Sequence, residues 1–240
     1  MQQIHYSSER DPLTFMKRDE QLLHRQSENA LSLLHFYRWP PFCITYGRFI
    51  PIEHYLSPLF LQNHASLVAR RPTGGGITFH GHDFSFSFLS SHPQWQGCSP
   101  QRGHKRVHRW ICKILSATFS LPSLHLSLAL QSEVAEQIQE RRFCSTYISL
   151  YDLLYKGKKV GSSSQKRNSH SVLYQITLFV TAHNPLLIEK SLLERKSKWI
   201  CKRMKEKSGA LWNQFSTSSQ EKLMYSLVNG LHLLMESSNL

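Results

Sequence analysis

Acidic residues are scarce in this chain. Its 240 residues hold 16 Asp+Glu against 29 Lys+Arg, a formal charge of +13. Such a surface implies an acidic partner: nucleic acid, an anionic membrane, a phosphorylated ligand or an acidic protein. Charge alone does not choose among them. Cysteine is sparse too, with five residues at 43, 98, 112, 144 and 201 and no CxxC pair. That argues against a disulfide framework and a structural zinc site, and no metal ligand set is expected. Free thiols fit a reducing compartment, so a cytoplasmic location is expected. With 11 Gly and 10 Pro the chain is not collagenous or of low complexity. No apolar run approaches the roughly 20 residues of a spanning helix, so no membrane partner is expected. Met1 to His5 has no basic head and no apolar stretch, so no signal peptide is expected.

What is present suffices for a core. The chain is 40% hydrophobic and 19% charged, enough apolar material for one sizeable core. Its length matches one domain with a modest extension, at about 150 residues per domain.

Hydrophobic periodicity places the elements. The first 35 residues read as helical, with Leu22, Leu23, Leu31, Leu33 and Leu34 among Asp19, Glu20, Arg25 and Glu28. Pro40-Pro41 ends that stretch, because proline lacks an amide donor. Phe42 to Tyr46 reads as a strand closed by Gly47. Asp83 to Phe88 alternates strictly, three phenylalanines on one side and serines on the other, which predicts a half-buried strand. The Phe84/Phe86/Phe88 face reads as core, with the lining of an acyl tunnel as its alternative. Val107, Trp110, Ile111, Ile114, Leu115 and Phe119 recur at helical spacing. Leu124 to Leu130 alternates like a strand, and Ser132 to Arg142 reads as a polar surface insertion. Tyr151 to Leu154 and Ser171 to Thr181 read as strands flanking a basic, serine-rich loop from Lys156 to His170. Beyond Pro185 the pattern is helical, with Leu186, Leu187, Ile188, Leu192 and Leu193 first. A second stripe follows at Leu223, Leu227, Leu231 and Leu234. Strands and helices without a regular βαβ rhythm predict an α+β fold, a mixed or antiparallel sheet packed with helices.

Two stretches carry chemistry. In Arg70-Arg71-Pro72-Thr73-Gly74-Gly75-Gly76, three consecutive glycines cost backbone entropy, which close approach of main chain to a ligand would justify. The two arginines add charge-assisted donors. A tight turn with solvated arginines explains the same residues. The run matches neither GxxxxGK[ST] nor GxGxxG. The second stretch is Lys156-Gly157-Lys158-Lys159-Val160-Gly161-Ser162-Ser163-Ser164-Gln165-Lys166-Arg167. A lysine followed by small residues suits an anionic ligand; a solvated hairpin tip is its bland counterpart.

Together these stretches resemble the lipoate–protein ligase and octanoyltransferase superfamily. RRPTGGGITFH is similar to its RRxSGGGAVFH signature, and KGKKVGSSSQKR to its lysine followed by G/S-rich residues and Q-x-R. WPPFCITYGR is similar to its W-x-P-P…G stretch. The likeness spans Phe36 to Thr181. It implies a biotin/lipoate ligase-like catalytic domain over residues 1–183, with 184–240 a helical extension rather than a full accessory domain. It also implies that Arg71, Thr73, Gly75, Gly76, Ile77, Thr78, Phe79 and His80 bind the nucleotide or acyl-adenylate. Lys159 would contact both acyl carboxylate and phosphate. The implied reaction is that of an ATP-dependent lipoate–protein ligase. ATP, with Mg²⁺, activates lipoate or octanoate to acyl-AMP, and a lysine of a lipoyl domain then attacks. The acceptors would be acidic lipoyl domains of 2-oxoacid dehydrogenase complexes or the glycine-cleavage H protein, steered by the basic surface.

Some features depart from that pattern. The family's His-Gly after the second signature is replaced by Leu173-Tyr174-Gln175-Ile176-Thr177, and the Asp after the motif histidine is Gly81, with Asp83 close by. Cys144 supports a rival reading, an ATP-independent octanoyltransferase with a thiolate as acyl carrier. Arg141, Arg142 and Lys159 are the cations expected to favour that thiolate. A buried structural thiol is the alternative. A non-catalytic paralogue binding lipoate or lipoyl domains is a third reading. A nucleic-acid module lacks a framing motif, so no specific nucleic acid is expected; a biotin ligase lacks its GRGR-type loop.

Overall fold

The computed structural model describes residues 2–6, 11–25, 32–121, 125–134 and 142–231. In chain order the elements are β1 (Gln2–Tyr6), α1 (Pro12–Arg25), β2 (Ser32–Phe36), β3 (Cys43–Tyr46), α2 (Pro58–Asn63), β4 (Val68–Arg70), β5 (Ile77–His80), β6 (Asp83–Ser90), α3 (Pro93–Gln96), α4 (Pro100–Phe119), β7 (Leu126–Leu128), β8 (Leu153–Tyr155), β9 (Lys158–Arg167), β10 (Val172–Phe179), α5 (Pro185–Ser191), α6 (Glu194–Lys207) and α7 (Thr217–Asn229). A large sheet runs β1-β2-β6-β10-β9-β8-β7 and a small one β4-β3-β5. Only the β1–β2 and β3–β4 pairs are parallel. This is the α+β fold expected from the sequence.

Helix α4 shows how local chemistry places an element. The Ser99 hydroxyl accepts from the Arg102 amide and Pro100 occupies the first turn, so two of the first orphan donors are accounted for. Its stripe Val107, Trp110, Ile111, Ile114 and Leu115 is buried against the large sheet. Leu223, Leu227 and Leu231 join the same core from α7 and the residues after it. Trp110 Nε1 donates to Gly230 O at 2.8 Å, locking the chain end onto α4. A second core lies under the small sheet, where Ile44, Ile77, Phe79 and Phe143 meet Ile188, Leu192, Ile200 and Met204 of the α5–α6 region. Leu186 is exposed instead, and Leu234 lies outside the described residues.

Several expectations are corrected. The opening stretch is one helix, α1, between two strands. Ser32–Phe36 pairs with β6 and is buried throughout, and a five-residue stretch has no period long enough to separate strand from helix. Leu31 and Glu28 lie outside the described residues. Asp83–Ser90 is a strand, but not half-buried: Ser85 and Ser87 are buried as deeply as the phenylalanines. Helix α1 covers the serine face, where Ser87 Oγ donates to Asp19. The Phe84/Phe86/Phe88 face sits in the main core.

The largest correction is at 156–170. The basic loop is the ten-residue strand β9, paired with β10 on one side and β8 on the other. Lys156 and Gly157, at φ 52° and 75°, form a two-residue hairpin loop of the kind that matches strand twist. The strand lacked an apolar signature because Ser162 to Gln165 line a cavity instead of joining a core. The alternation at Leu124 to Leu130 condenses to β7; Leu124 and residues 135–141 of the expected insertion lie outside the described residues.

Candidate active site

The glycine run folds back over the end of β3. Arg71 N donates to Tyr46 O (2.8 Å), Arg48 N to Thr73 O (3.0 Å) and Gly47 N to Gly76 O (3.3 Å). Gly75 sits at φ +87°, a conformation that favours glycine. Gly47 lies directly beneath: a Cβ there would stand 2.1 Å from Gly75 O and 2.8 Å from Gly74 O. Both are backbone atoms with no side-chain freedom to yield. Gly47→Ala is therefore expected to displace the loop and destabilise the protein by about 1–3 kcal/mol. Urea unfolding should show a lower midpoint with an unchanged slope.

Arg71 turns inward. Nη1 donates to Thr45 Oγ1 (2.8 Å) and Thr78 Oγ1 (3.2 Å), and Nη2 to Gly76 O (2.6 Å) and Gly74 O (3.3 Å). Its guanidinium thus braces the loop from within. Burial lowers its pKa, while the neighbouring Cys144 and Tyr147 oppose that shift.

Lys159 is 1% exposed, and its Nζ lies 2.7 Å from Asp152 Oδ2. Nζ also donates to Tyr147 O (3.2 Å) and sits 4.8 Å from the centre of the Tyr147 ring. Asp152 is held in turn by the Ser149 amide at 2.6 Å. Burial pushes the Asp152 carboxyl up; the Lys159 ammonium and the Ser149 amide pull the other way. Lys158 points elsewhere, its Nζ reaching Lys205 O at 2.9 Å on an exposed face.

Cys144 is tied to the loop through its backbone, whose N–H donates to Ile77 O at 2.9 Å. Arg71 interacts electrostatically with its thiol. Arg142 is exposed and Arg141 lies outside the described residues.

Strand β5 alternates between two environments. Ile77 and Phe79 enter the second core, while Thr78 and His80 face inward. His80 bonds Thr45 Oγ1 through Nε2 (2.7 Å) and Asp83 Oδ2 through Nδ1 (2.8 Å), and stacks on Trp39. Burial would raise the Asp83 carboxyl, but His80 and the Ser85 hydroxyl outweigh it and hold Asp83 well below the usual carboxylate range. Asp83 so anchors the histidine that Gly81 follows.

These groups converge on a cavity of about 410 Å³ between the two sheets and the first turns of α4. Arg71, Gly75, Thr78, His80, Cys144 and Lys159 line it. Thr73, Gly76, Ile77 and Phe79 do not. Thr73 instead bonds Gln175 Oε1 (2.7 Å) and Ser164 Oγ (2.8 Å).

Sequence reasoning missed Asp19, Asp152 as the lysine's partner, and His108. Asp19 is fully buried and accepts from Ser87 Oγ (2.9 Å), Gln175 Nε2 (2.7 Å) and Tyr37, with His35 Nδ1 at 2.7 Å. Gln175, where His-Gly was expected, thus links this carboxylate to the glycine loop. A signal existed: Asp19 falls on the buried stripe of α1, between Met16 and Leu23.

A mixed sheet with a ligand-sized cavity over buried cations and a glycine loop defines a catalytic domain of the biotin/lipoate ligase-like fold. The family model of the lipoyl protein ligase A/B catalytic domain matches residues 11–229, and the chain belongs to that family. Octanoyltransferase LipM of Halalkalibacterium halodurans is 26% identical over 175 residues, covering 70% of this chain and 61% of that protein. Octanoyltransferase LipM of Geobacillus kaustophilus is 24% identical over 240 residues, covering 94% and 84%. The chain thus spans about three fifths of the first relative's length. A bi-partite lipoate protein ligase of Thermoplasma acidophilum, described with its E2 lipoyl domain, superimposes with a TM-score of 0.69 at 17% identity, covering 96% and 83% of the two chains. A lipoate-protein ligase A bound with ATP gives 0.66 at 16%, covering 96% and 85%. Among the described residues no helix is long and apolar enough to cross a membrane.

Proposed function

We propose that the protein is an octanoyltransferase that needs no ATP. It takes an octanoyl group from a carrier thioester onto Cys144 and passes it to the lysine of an acidic lipoyl domain. The acceptor belongs to a 2-oxoacid dehydrogenase complex or is the glycine-cleavage H protein. The observation that carries this reading is the Cys144 thiol, in one cavity with Lys159 and against the Arg71 guanidinium. The names of the relatives favour the same activity.

An ATP-dependent ligase would bring Mg²⁺ with its triphosphate. Mg²⁺ is usually held by one or two carboxylates plus substrate phosphates. Asp152, the one carboxylate among the described residues lining the cavity, already holds the lysine. The donor set does not fit that ion.

A neutral thioester suits this charge balance. The Lys159 ammonium faces the cavity and stabilises negative charge on the thioester oxygen. Met16, Trp39 and Ile176 offer apolar wall for the acyl chain.

The test supplies octanoylated acyl carrier protein and an apo lipoyl domain without ATP. Octanoylation of the domain, followed by intact mass, is the expected result. Modification only with free octanoate or lipoate plus ATP would return the protein to the ligases.

A further inference from the structure

We propose that His108 accepts the proton released when the acceptor lysine attacks the acyl group on Cys144. This rests on the octanoyltransferase reading and assigns a residue to its second half-reaction.

His108 lies on α4, on the side opposite to what its neighbours suggest. Val107, Trp110 and Ile111 turn into the main core, whereas His104 and His108, one turn apart, line the cavity with Cys144 and Lys159. His108 Nδ1 bonds the Tyr151 carbonyl, which can only accept, so Nδ1 carries the hydrogen and Nε2 the lone pair. That Nε2 is buried and has no hydrogen-bond partner. A buried polar atom without a partner is destabilising, which makes it a candidate for a ligand contact.

The backbone that fixes it is itself unusual. Tyr151 sits at φ 67°, a left-handed conformation that is unfavourable for a non-glycine residue. This turn aims the Tyr151 carbonyl at His108 and delivers the next residue, Asp152, to Lys159. One strained turn therefore sets both the ammonium and the imidazole.

Several other titratable groups facing the cavity are engaged through at least one atom. Lys159 as an ammonium has no lone pair, and Asp152 Oδ2 already meets Lys159 and the Ser149 amide. His80 uses both nitrogens, and His104 Nδ1 meets Ser163 Oγ at 2.7 Å. The Tyr147 phenol is pushed up by burial, with Cys144 and Asp152 adding to it. Burial, with the Lys159 charge adding to it and the Tyr151 carbonyl opposing, lowers His108 to about 4. It is thus unprotonated when the amine arrives, and its imidazolium readily gives the proton up.

The step balances. The neutral lysine nitrogen forms the C–N bond to the thioester carbon, and its proton passes to His108 Nε2. The C–S bond breaks with the electron pair left on Cys144 Sγ. The imidazolium then returns the proton to that thiolate, regenerating thiol and neutral imidazole.

Single-turnover experiments separate the two half-reactions. The native protein and His108→Gln are loaded with octanoyl carrier protein, and octanoyl-Cys144 is followed by intact mass. The apo lipoyl domain is then added. The expected result is loading at the native rate but transfer slowed about 100-fold, so that acyl-enzyme accumulates. His108→Asn is read in the same way and serves where the first variant does not fold. Transfer within twofold of native, or equal losses in both halves, overturns the proposal alone. Absence of octanoyl-Cys144 in the native protein overturns the octanoyltransferase reading and this proposal with it.

Discussion

Cys144→Ala is expected to reduce octanoyl transfer by at least about 10³-fold and to leave no acyl adduct on the protein. Removing the nucleophile of a covalent mechanism eliminates the route itself, leaving only positioning and charge stabilisation. The fold should survive. The side chain is only partly buried, and the bond that docks this segment is made by the Cys144 backbone to Ile77 O. Thermal midpoints of variant and native protein should agree within a few degrees, about 1 kcal/mol for a domain of this size. Cys43, Cys98, Cys112 and Cys201 offer no substitute, because none of them lines the cavity. Burial also pushes Cys43 well up, Cys112 to about 12 and Cys201 up as well. A Cys144→Ala protein that still octanoylates a lipoyl domain, with or without ATP, would exclude the covalent route.

Lys159→Ala should lower the rate of acyl-enzyme formation by about 10²–10³-fold, the usual consequence of losing one preorganised charge. Lys158→Ala should stay within about twofold, because that amine contacts only Lys205 O on an exposed face. Equal losses would place the wrong lysine in the cavity. The Lys159 variant also carries a stability signature. Removing one member of a buried ion pair leaves the other uncompensated, at a cost of about 3–5 kcal/mol. Burial already raises Asp152 against the pull of Lys159, and without that pull it rises further. A carboxyl raised in the folded state is penalised when ionised, so the penalty is full well above its folded pKa and fades as pH falls through it. The gap in thermal midpoint between native protein and Lys159→Ala should therefore narrow on acidification from neutral pH. A gap that is constant or widens would mean that Asp152 is not left bearing the charge.

Parts of this architecture were legible residue by residue. The α4 stripe was readable because period and amphipathicity agree over 20 residues. Strand β9 was not, since its serines face a cavity and carry no apolar alternation. The serine face of β6 read as solvent because serine beside water and serine beside a buried carboxylate give the same string; Asp19, 68 residues away, decides between them. The arginines near Cys144 were read from sequence distance, whereas Arg71, 73 residues away, meets the thiol because the Cys144 backbone pairs with β5.

By itself the amino-acid order determined what depends on contiguous residues: an α+β fold, a glycine run requiring unusual backbone, and a lysine followed by small side chains. Tertiary structure decided how those parts are charged and what they can do. Arg71 became a brace, Lys159 an ion-paired ammonium, and His108 an imidazole with a bare nitrogen in the same cavity. Their state depends on which distant atoms reach within hydrogen-bond distance. The low dielectric of a closed interior then makes each such contact worth far more than it would be along the open chain.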